Sequence, residues 1–202
     1  MRVAVLASGA GTNLQAILDQ VHGRDGVEVV GVGSDKPSAR ALVRAEAAGV
    51  ETATFPASDY ADREARDAAI GDWLERCEVE LVVLAGYMQL LSESFVRRFA
   101  RRVINVHPAL LPAFPGLDPI AQALDYGVQT TGVTVHFVDE GVDTGPVLLQ
   151  QAVDVPHSRD RAELEAAVHA VEHALLPEAV RLIAAGRVEF DGENSRIVRI
   201  SR

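Results

Sequence analysis

The chain lacks several features that would point to particular classes of protein. Its 202 residues include one cysteine, Cys77, and one lysine, Lys36. A single cysteine excludes an internal disulfide and favours a reducing, cytoplasmic setting. A single lysine leaves one candidate for Schiff-base chemistry. No stretch approaches the roughly 18 consecutive apolar residues that a membrane-crossing helix needs, so no membrane partner is expected.

The chain is also poor in basic residues. Nineteen lysines and arginines face 29 acidic residues, which gives a formal net charge of −10. A nucleic-acid surface needs a basic face to neutralise phosphates, so the charge balance argues against a nucleic-acid partner. A small anionic ligand stays compatible with this charge, because backbone amides and one or two arginines can hold it locally.

Short β-branched runs alternate with helical patterns along most of the sequence. This alternation predicts an α/β fold, with a mostly parallel twisted sheet and helices on both faces. We expect one domain over residues 1–202, composed of two halves, 1–100 and 101–202. The predicted strands are residues 2–7, 27–33, 80–86, 102–106, 131–138 and 146–155, and the predicted helices are 13–21, 38–48, 61–76 and 158–186.

Local signals refine three of these elements. The helix 61–76 is expected to bury Ala65, Ala69, Ile70 and Trp73 on one face. For the long helix 158–186, Ser158 is the expected N-cap, and a bend is expected near Pro177. Residues 187–200 are typical of a terminal hairpin that turns at Asp191–Gly192.

The first strand leads into a glycine turn, "SGAGTN", at residues 8–13. Gly9 and Gly11 permit tight backbone geometry, and Thr12 and Asn13 present N–H groups at the start of a helix. Such a helix start attracts anions, so the turn is a candidate phosphate site. The plain alternative is a turn that needs glycines only for its geometry.

The same turn allows a weaker interpretation as a dinucleotide site. Asp35 follows the second strand and could bind a ribose, as in a nicotinamide-dependent oxidoreductase. Leu14 argues against this interpretation, since it occupies the position where the dinucleotide fingerprint needs glycine or alanine.

A third pattern, "HAVEH" at residues 169–173, suggests a metal site. His169 and His173 are four residues apart on one helical face, with Glu172 between them, as in an inverted zincin motif. The motif is short, and only Glu178 or Glu189 could be suggested as a third ligand. We therefore expect no metal and favour a polar helix surface or a substrate contact.

The most distinctive stretch is "RRVINVHPALLP", where Asn105 and His107 interrupt the end of an apolar strand. Asp143 follows a later strand in a turn that contains Gly141 and Gly145. An amide can donate to an oxyanion, an imidazole can move protons, and a carboxylate can assist the imidazole. No serine or cysteine adjoins His107, so this set suits direct transfer through a tetrahedral intermediate. The alternative is that all three residues are structural.

Five stretches together resemble the phosphoribosylglycinamide formyltransferase family of 10-formyltetrahydrofolate-dependent enzymes. They appear in family order and cover nearly the whole chain: "VLASGAGTNLQAI", "VVLAGYMQLLS", "INVHPALLPAFPG", "GVTVHFVDEGVDTGPVLLQ" and "VEHALLP". The resemblance implies transfer of a formyl group from 10-formyltetrahydrofolate to glycinamide ribonucleotide in purine synthesis. It also implies a Rossmann-like first half, a catalytic and folate-binding second half, and a monomer or weak homodimer.

The resemblance further implies roles for individual residues. Asn105 would stabilise the oxyanion, His107 would act as a general acid or proton shuttle, and Asp143 would pair with His107 or with a water. The residues implied to bind glycinamide ribonucleotide are Gly11, Thr12, Asn13, His169, Ala170, Val171 and Glu172. Those implied to bind folate are Arg63, Met88, Gln89, Leu90, Leu91, Asn105, Asp139, Glu140, Gly141, Val142 and Asp143.

The sequence departs from the family pattern at two places. Gln89 stands where relatives often carry a basic residue, and Asp118 and Pro119 replace a region that commonly holds a histidine. Enzymes that use the same donor with water, a nucleotide sugar or methionyl-tRNA as acceptor stay open as alternatives. A non-catalytic ligand sensor also stays open, and it would tolerate loss of His107.

Overall fold

The structure is a computed structural model that describes residues 1–201. The chain divides into two compact units, of which the first is Met1–Asn105 and the second begins at Val106. None of the helices within residues 1–201 combines the length and the apolar character needed to cross a membrane.

The first unit is built on parallel strands. Five strands lie side by side in the order β3-β2-β1-β4-β5, and every neighbouring pair is parallel. Their bounds are Arg2–Leu6 (β1), Glu28–Ser34 (β2), Glu51–Thr54 (β3), Leu81–Leu84 (β4) and Val103–His107 (β5). The helices are Thr12–Gln20 (α1), Arg40–Ala47 (α2), Arg63–Arg76 (α3) and Glu93–Arg98 (α4), with a short 3₁₀ helix at Ala57–Asp59. The predicted α/β class with a mostly parallel sheet is confirmed.

The position of α3 over the sheet depends on two glycines in β2. A Cβ atom on Gly31 would lie 2.7 Å from the Trp73 ring, and one on Gly33 would lie 2.7 Å from Leu6 and 3.2 Å from the same ring. Trp73 therefore packs directly onto the backbone of β2, and its indole N–H donates to Oε1 of Glu51 at 3.0 Å. The glycines in "VVGVG" make room for one large aromatic side chain.

The predicted buried face of α3 is only partly right. Ile70 and Trp73 are buried as expected, but Ala65 is exposed. Two charged residues, Arg66 and Asp67, are buried instead, with 3% and 1% of their surface exposed. Apolar periodicity could not identify them, because their burial depends on partners from distant parts of the chain.

The second unit contains an antiparallel pair of strands and two helices. β6 (Thr130–Phe137) pairs with β7 (Val147–Asp154), and α6 (Arg161–Ala184) packs against both strands. Helix α5 spans Pro119–Tyr126, and the hairpin strands are β8 (Val188–Phe190) and β9 (Val198–Ile200).

Three parts of the secondary-structure prediction are corrected. Strand β3 and helices α4 and α5 are short elements that the prediction missed. The N-cap of α6 is Asp160, whose side chain accepts from the Glu163 amide at 2.9 Å, so the expected Ser158 cap is wrong. The predicted hairpin is present, but Phe190 pairs with Val198, so Asp191 and Gly192 begin a seven-residue loop and do not form the whole turn. The peptide bond between Leu111 and Pro112 is cis.

Candidate active site

Strand β5 ends in the two polar residues that interrupt its apolar run. Asn105 is half-buried and lies opposite Leu84 of β4, and His107 is 4% exposed. Because side chains two positions apart project from the same face of a strand, Asn105 and His107 are aligned by the pleat itself. An amide donor and an imidazole therefore share one face at the carboxyl end of a parallel strand, where α/β proteins bind ligands.

The imidazole of His107 lies between two oxygen acceptors within the second unit. Its Nε2 lies 2.8 Å from the carbonyl oxygen of Phe114, and its Nδ1 lies 3.4 Å from Oδ2 of Asp143. A carbonyl oxygen can only accept, so the hydrogen-bond network assigns a proton to Nε2. This bond anchors the ring, and Nδ1 is left on the carboxylate side.

Asp143 is held in place by its backbone and by several donors. Its φ of 54° lies in the left-handed region, which non-glycine residues seldom adopt. The Gly116 amide donates to its Oδ2 at 2.8 Å. Burial raises the pKa of the Asp143 carboxyl, but the hydrogen bonds from His136 and from the Gly116 amide, with electrostatic contributions from His107 and His136, bring it below its ordinary value overall. The arrangement favours the ionised carboxylate.

His136 is a component of this site that the sequence analysis missed. It is 2% exposed, its Nε2 lies 3.6 Å from Oδ1 of Asp143, and its Nδ1 lies 2.9 Å from the Phe137 carbonyl. The carboxylate of Asp143 thus lies between two imidazoles, each anchored through its other nitrogen to a backbone carbonyl. The one available signal was an imidazole inside the apolar strand "TGVTVHFV", and this pattern equally describes a core histidine.

The loop that carries Asp143 is stabilised by its own side chains and by the terminal hairpin. Oδ1 of Asp139 accepts from the Gly141 amide at 3.1 Å and from the Thr144 hydroxyl at 2.6 Å. A Cβ atom on Gly145 would lie 1.8 Å from the Phe137 carbonyl oxygen, so only glycine fits there. Arg196 of the hairpin loop donates to the Thr144 carbonyl at 2.7 Å. Asp139, a predicted folate residue, therefore uses one carboxylate oxygen to close the loop.

In the first unit, the glycine turn forms the start of α1. Gly11 is the N-cap with φ 70°, and among the described residues no side chain caps this helix. The turn is tied to α2 through its carbonyls: Gly9 accepts from the Ala41 amide at 3.2 Å and Ala10 accepts from Arg44 Nε at 2.8 Å. These contacts fix the turn against α2. Thr12 is exposed there, and Asn13 is buried.

The predicted folate segment Met88–Leu91 belongs to the same unit. The Met88 amide donates to the Ser8 hydroxyl at 2.8 Å, which joins this segment to the glycine turn. The Met88 and Leu90 side chains are each 61% exposed. Arg63, the predicted folate-side arginine, is an exposed residue at the first position of α3.

The structure weakens the dinucleotide interpretation. Asp35 is 8% exposed, and its Oδ2 accepts from Nε2 of Gln89 at 3.0 Å. Leu14 is completely buried in the core. The carboxylate that would have to reach a ribose is therefore engaged inside the protein.

The motif "HAVEH" lies on α6, where the His169 side chain interacts with both Glu172 and His173. Nδ1 of His169 lies 2.8 Å from Oε2 of Glu172, and the His169 and His173 rings stack at 6.2 Å. The hydrogen bond with Glu172 raises the pKa of His169, and burial lowers the pKa of His173. Glu172 is 4% exposed. In residues 1–201 no cluster of three or more His, Cys, Asp or Glu side chains is placed to hold a metal ion.

Comparison with known protein families identifies the family of this chain. A profile of the formyl transferase family matches residues 1–180. The chain therefore belongs to the formyl transferase family, and this confirms the resemblance drawn from the five motifs.

Two proteins are similar to this chain over nearly its whole length. The phosphoribosylglycinamide formyltransferase of Mycobacterium tuberculosis is 43% identical over 198 residues, which cover 98% of this chain and 92% of the relative. The crystal structure of glycinamide ribonucleotide transformylase 1 from Symbiobacterium toebii superposes with a TM-score of 0.95 at 46% identity, covering 100% of this chain and 94% of the other.

A longer relative contains a stretch similar to this chain within a larger protein. The trifunctional purine biosynthetic protein adenosine-3 of Bos taurus is 43% identical over 197 residues, which cover 97% of this chain. The chain spans only 19% of the length of that protein.

Proposed function

We propose that this chain transfers the formyl group of 10-formyltetrahydrofolate to the primary amine of glycinamide ribonucleotide. The products are N-formylglycinamide ribonucleotide and tetrahydrofolate, as required in purine synthesis. The observation that carries the proposal is the His107–Asp143 pair, at 3.4 Å, on a chain with formyltransferase relatives of nearly equal length.

The proposed reaction proceeds by direct transfer. The amine nitrogen attacks the formyl carbon, a C–N bond forms, and the formyl oxygen becomes an oxyanion. Asn105 donates its side-chain amide to this oxyanion, a contact that strengthens as charge develops. When the intermediate collapses, the bond to N10 breaks and the formyl C=O is restored.

Proton transfer is assigned to His107 and Asp143. The attacking amine loses one proton and N10 of the folate gains one, so the net change is a proton shift between two nitrogens. Since Nε2 of His107 is anchored to the Phe114 carbonyl, Nδ1 and the neighbouring carboxylate are the groups that exchange the proton, directly or through a water. His136 keeps the carboxylate oriented.

The remaining groups are assigned the binding roles that the family resemblance implies. The uncapped start of α1, at Gly11, Thr12 and Asn13, is assigned to the phosphate. His169 and Glu172, on neighbouring turns of α6, are assigned to glycinamide ribonucleotide together with Ala170 and Val171. The folate is assigned to Arg63, Met88–Leu91, Asn105 and Asp139–Asp143. We propose a cytoplasmic setting, which the single buried free cysteine favours.

A direct assay tests the proposal. Purified protein, supplied with both substrates, should consume formyl folate only when glycinamide ribonucleotide is present. Consumption with water alone would indicate a deformylase, and consumption only with a nucleotide sugar or methionyl-tRNA would indicate another acceptor. No turnover with any acceptor would defeat the assignment and favour a ligand sensor. Loss of turnover on chelation would instead favour the metallohydrolase alternative.

A further inference from the structure

Arg66 of α3 forms hydrogen bonds with the segment Met88–Leu91, which follows β4. It is 3% exposed, and its Nη1 donates to Oε1 of Gln89 at 2.9 Å while its Nη2 donates to the Leu90 carbonyl at 3.0 Å. A planar guanidinium with several donors can hold a side chain and a backbone carbonyl at the same time. One buried cation therefore fixes two consecutive residues of this segment.

Asp67, the next residue of α3, binds both Arg66 and Ser92, the residue that directly follows this segment. Its Oδ1 accepts from Arg66 Nε at 2.9 Å and from Arg66 Nη2 at 2.8 Å, and its Oδ2 accepts from the Ser92 amide at 2.6 Å. Asp67 is 1% exposed and Ser92 is completely buried. A buried charge is tolerated only when it is paired and hydrogen-bonded, and these contacts meet that requirement.

Gln89 lies between a cation and a carboxylate. Its Oε1 accepts from Arg66, and its Nε2 donates to Oδ2 of Asp35 at 3.0 Å. Only one orientation of the amide satisfies both neighbours, because the cation can only donate and the carboxylate can only accept. The side chain of Gln89 is thus locked from both sides.

The locked segment presents apolar side chains outward. Met88 and Leu90 are each 61% exposed, although their neighbours are anchored by buried charges. Surface segments are usually mobile, and fixing this backbone on a buried ionic network restricts where the two exposed side chains point. The network therefore constrains a surface segment that carries two exposed apolar side chains.

We propose that Arg66, Asp67, Gln89 and Asp35 form a positioning network that pre-orders residues 88–91 for the formyl folate. This inference rests on the proposed function, which assigns that segment to the folate. Pre-ordering raises affinity because less conformational freedom is lost on binding. The network should therefore act on binding of the folate and leave the chemical step unaffected.

A polarity-reversal experiment tests the network. Gln89→Glu keeps the acceptor for Arg66 but places an oxygen against Asp35, so the KM for formyl folate should rise about tenfold or more. The kcat and the KM for glycinamide ribonucleotide should stay within about twofold. Adding Asp35→Asn supplies an amide donor toward the new carboxylate and should restore most of the lost affinity. Arg76→Gln, an exposed change on the same helix, is the control.

Three outcomes decide the inference. A rise in the folate KM that Asp35→Asn reverses supports the network. An unchanged KM in Gln89→Glu, or an equal KM in the single and double variants, overturns it. Equal losses in kcat and in both KM values, accompanied by a lower Tm, also overturn it, because they indicate a purely structural role.

A second measurement does not depend on turnover. Arg66→Lys keeps the positive charge but loses the forked geometry, so amide hydrogen exchange at residues 89–92 should accelerate while exchange in β1 stays unchanged. If the wild-type protein shows no transferase activity, the proposed function fails, and this exchange pattern still decides whether the network orders the segment. Uniform acceleration, or none, would contradict it.

Discussion

Nδ1 of His107 lies 3.4 Å from Oδ2 of Asp143, and this pairing joins the end of one strand to a loop that begins after another. The two residues are 36 positions apart in sequence. His107 hydrogen-bonds the Phe114 carbonyl through its Nε2, and Asp143 accepts a hydrogen bond from the Gly116 amide, so each member of the pair is anchored separately. The first prediction concerns the carboxylate of this pair.

Replacing the carboxylate should suppress turnover without unfolding the chain. Asp143→Asn keeps the shape but removes the charge beside His107, so kcat should fall by about two to four orders of magnitude, the usual range for proton-transfer groups. Steady-state kinetics with circular dichroism would measure this. Asp154→Asn, an exposed change on β7, should leave the rate unaltered, and a Asp143→Asn enzyme with normal kcat would exclude the assigned role.

Asn105→Ala removes the proposed oxyanion donor. Loss of one such donor costs about 3–4 kcal/mol of transition-state stabilisation, so kcat should fall by about two to three decades. The affinity for formyl folate, measured by titration, should change much less, since the contact strengthens only as charge develops. An equal loss of ground-state affinity would show that Asn105 acts only in folate binding and would exclude its oxyanion role.

His136 should influence catalysis through Asp143 alone. His136→Phe fills the space but removes both ring hydrogen bonds, so the carboxylate loses orientation and kcat should fall by up to about 100-fold. Stability should fall by about 1–3 kcal/mol, because the Phe137 carbonyl and the carboxylate lose a buried partner. Urea unfolding and kinetics measure the two effects, and His157→Gln at an exposed position provides the baseline. A full rate in a folded His136→Phe protein would remove His136 from the site.

The two glycines of the first turn should respond very differently to alanine. A Cβ atom at Gly11 would lie 2.7 Å from Cα of Ala41, and φ there is 70°. At Gly9 a Cβ atom would meet nothing within 4 Å. Gly11→Ala should therefore destabilise the protein by about 1–3 kcal/mol and weaken binding of glycinamide ribonucleotide, whereas Gly9→Ala should do little. Thermal unfolding and titration of both variants test this, and similar behaviour of the two would contradict the geometry.

The His169–Glu172 pair predicts a pH-dependent contribution to stability. The pKa of His169 is raised in the folded state, so the folded protein holds this proton more tightly than the unfolded chain. The stabilisation is fully present below the unfolded pKa of about 6.5 and is lost as pH rises through the higher folded value. The destabilisation caused by His169→Gln should therefore be larger at pH 6 than at pH 9.

Urea unfolding across that pH range measures the difference between the two proteins. The pKa of His173 is lowered by burial, so this residue acts in the opposite direction, but it is present in both proteins. A difference that grows with pH would show that the pair does not stabilise the folded state.

Some residues of the candidate site stand out in the sequence, and others do not. Asn105, His107 and Asp143 interrupt or follow apolar strands, and a polar residue at such a position stands out against the pattern. In contrast, His136 lies in a pattern typical of a core strand. Arg66 and Asp67 lie in a pattern typical of a solvent-exposed helix. Their roles depend on partners at Asp143, Gln89 and Ser92, which lie between 7 and 25 residues away.

The α/β class, the order of the longer elements and the resemblance to the family were determined by the sequence alone, because periodicity, glycine turns and motif order are properties of neighbouring residues. The burial of Arg66 and Asp67, the locked amide of Gln89 and the two imidazoles around one carboxylate were decided only by the tertiary structure. Hydrogen bonding and desolvation act through space, and which polar groups meet depends on how distant segments pack.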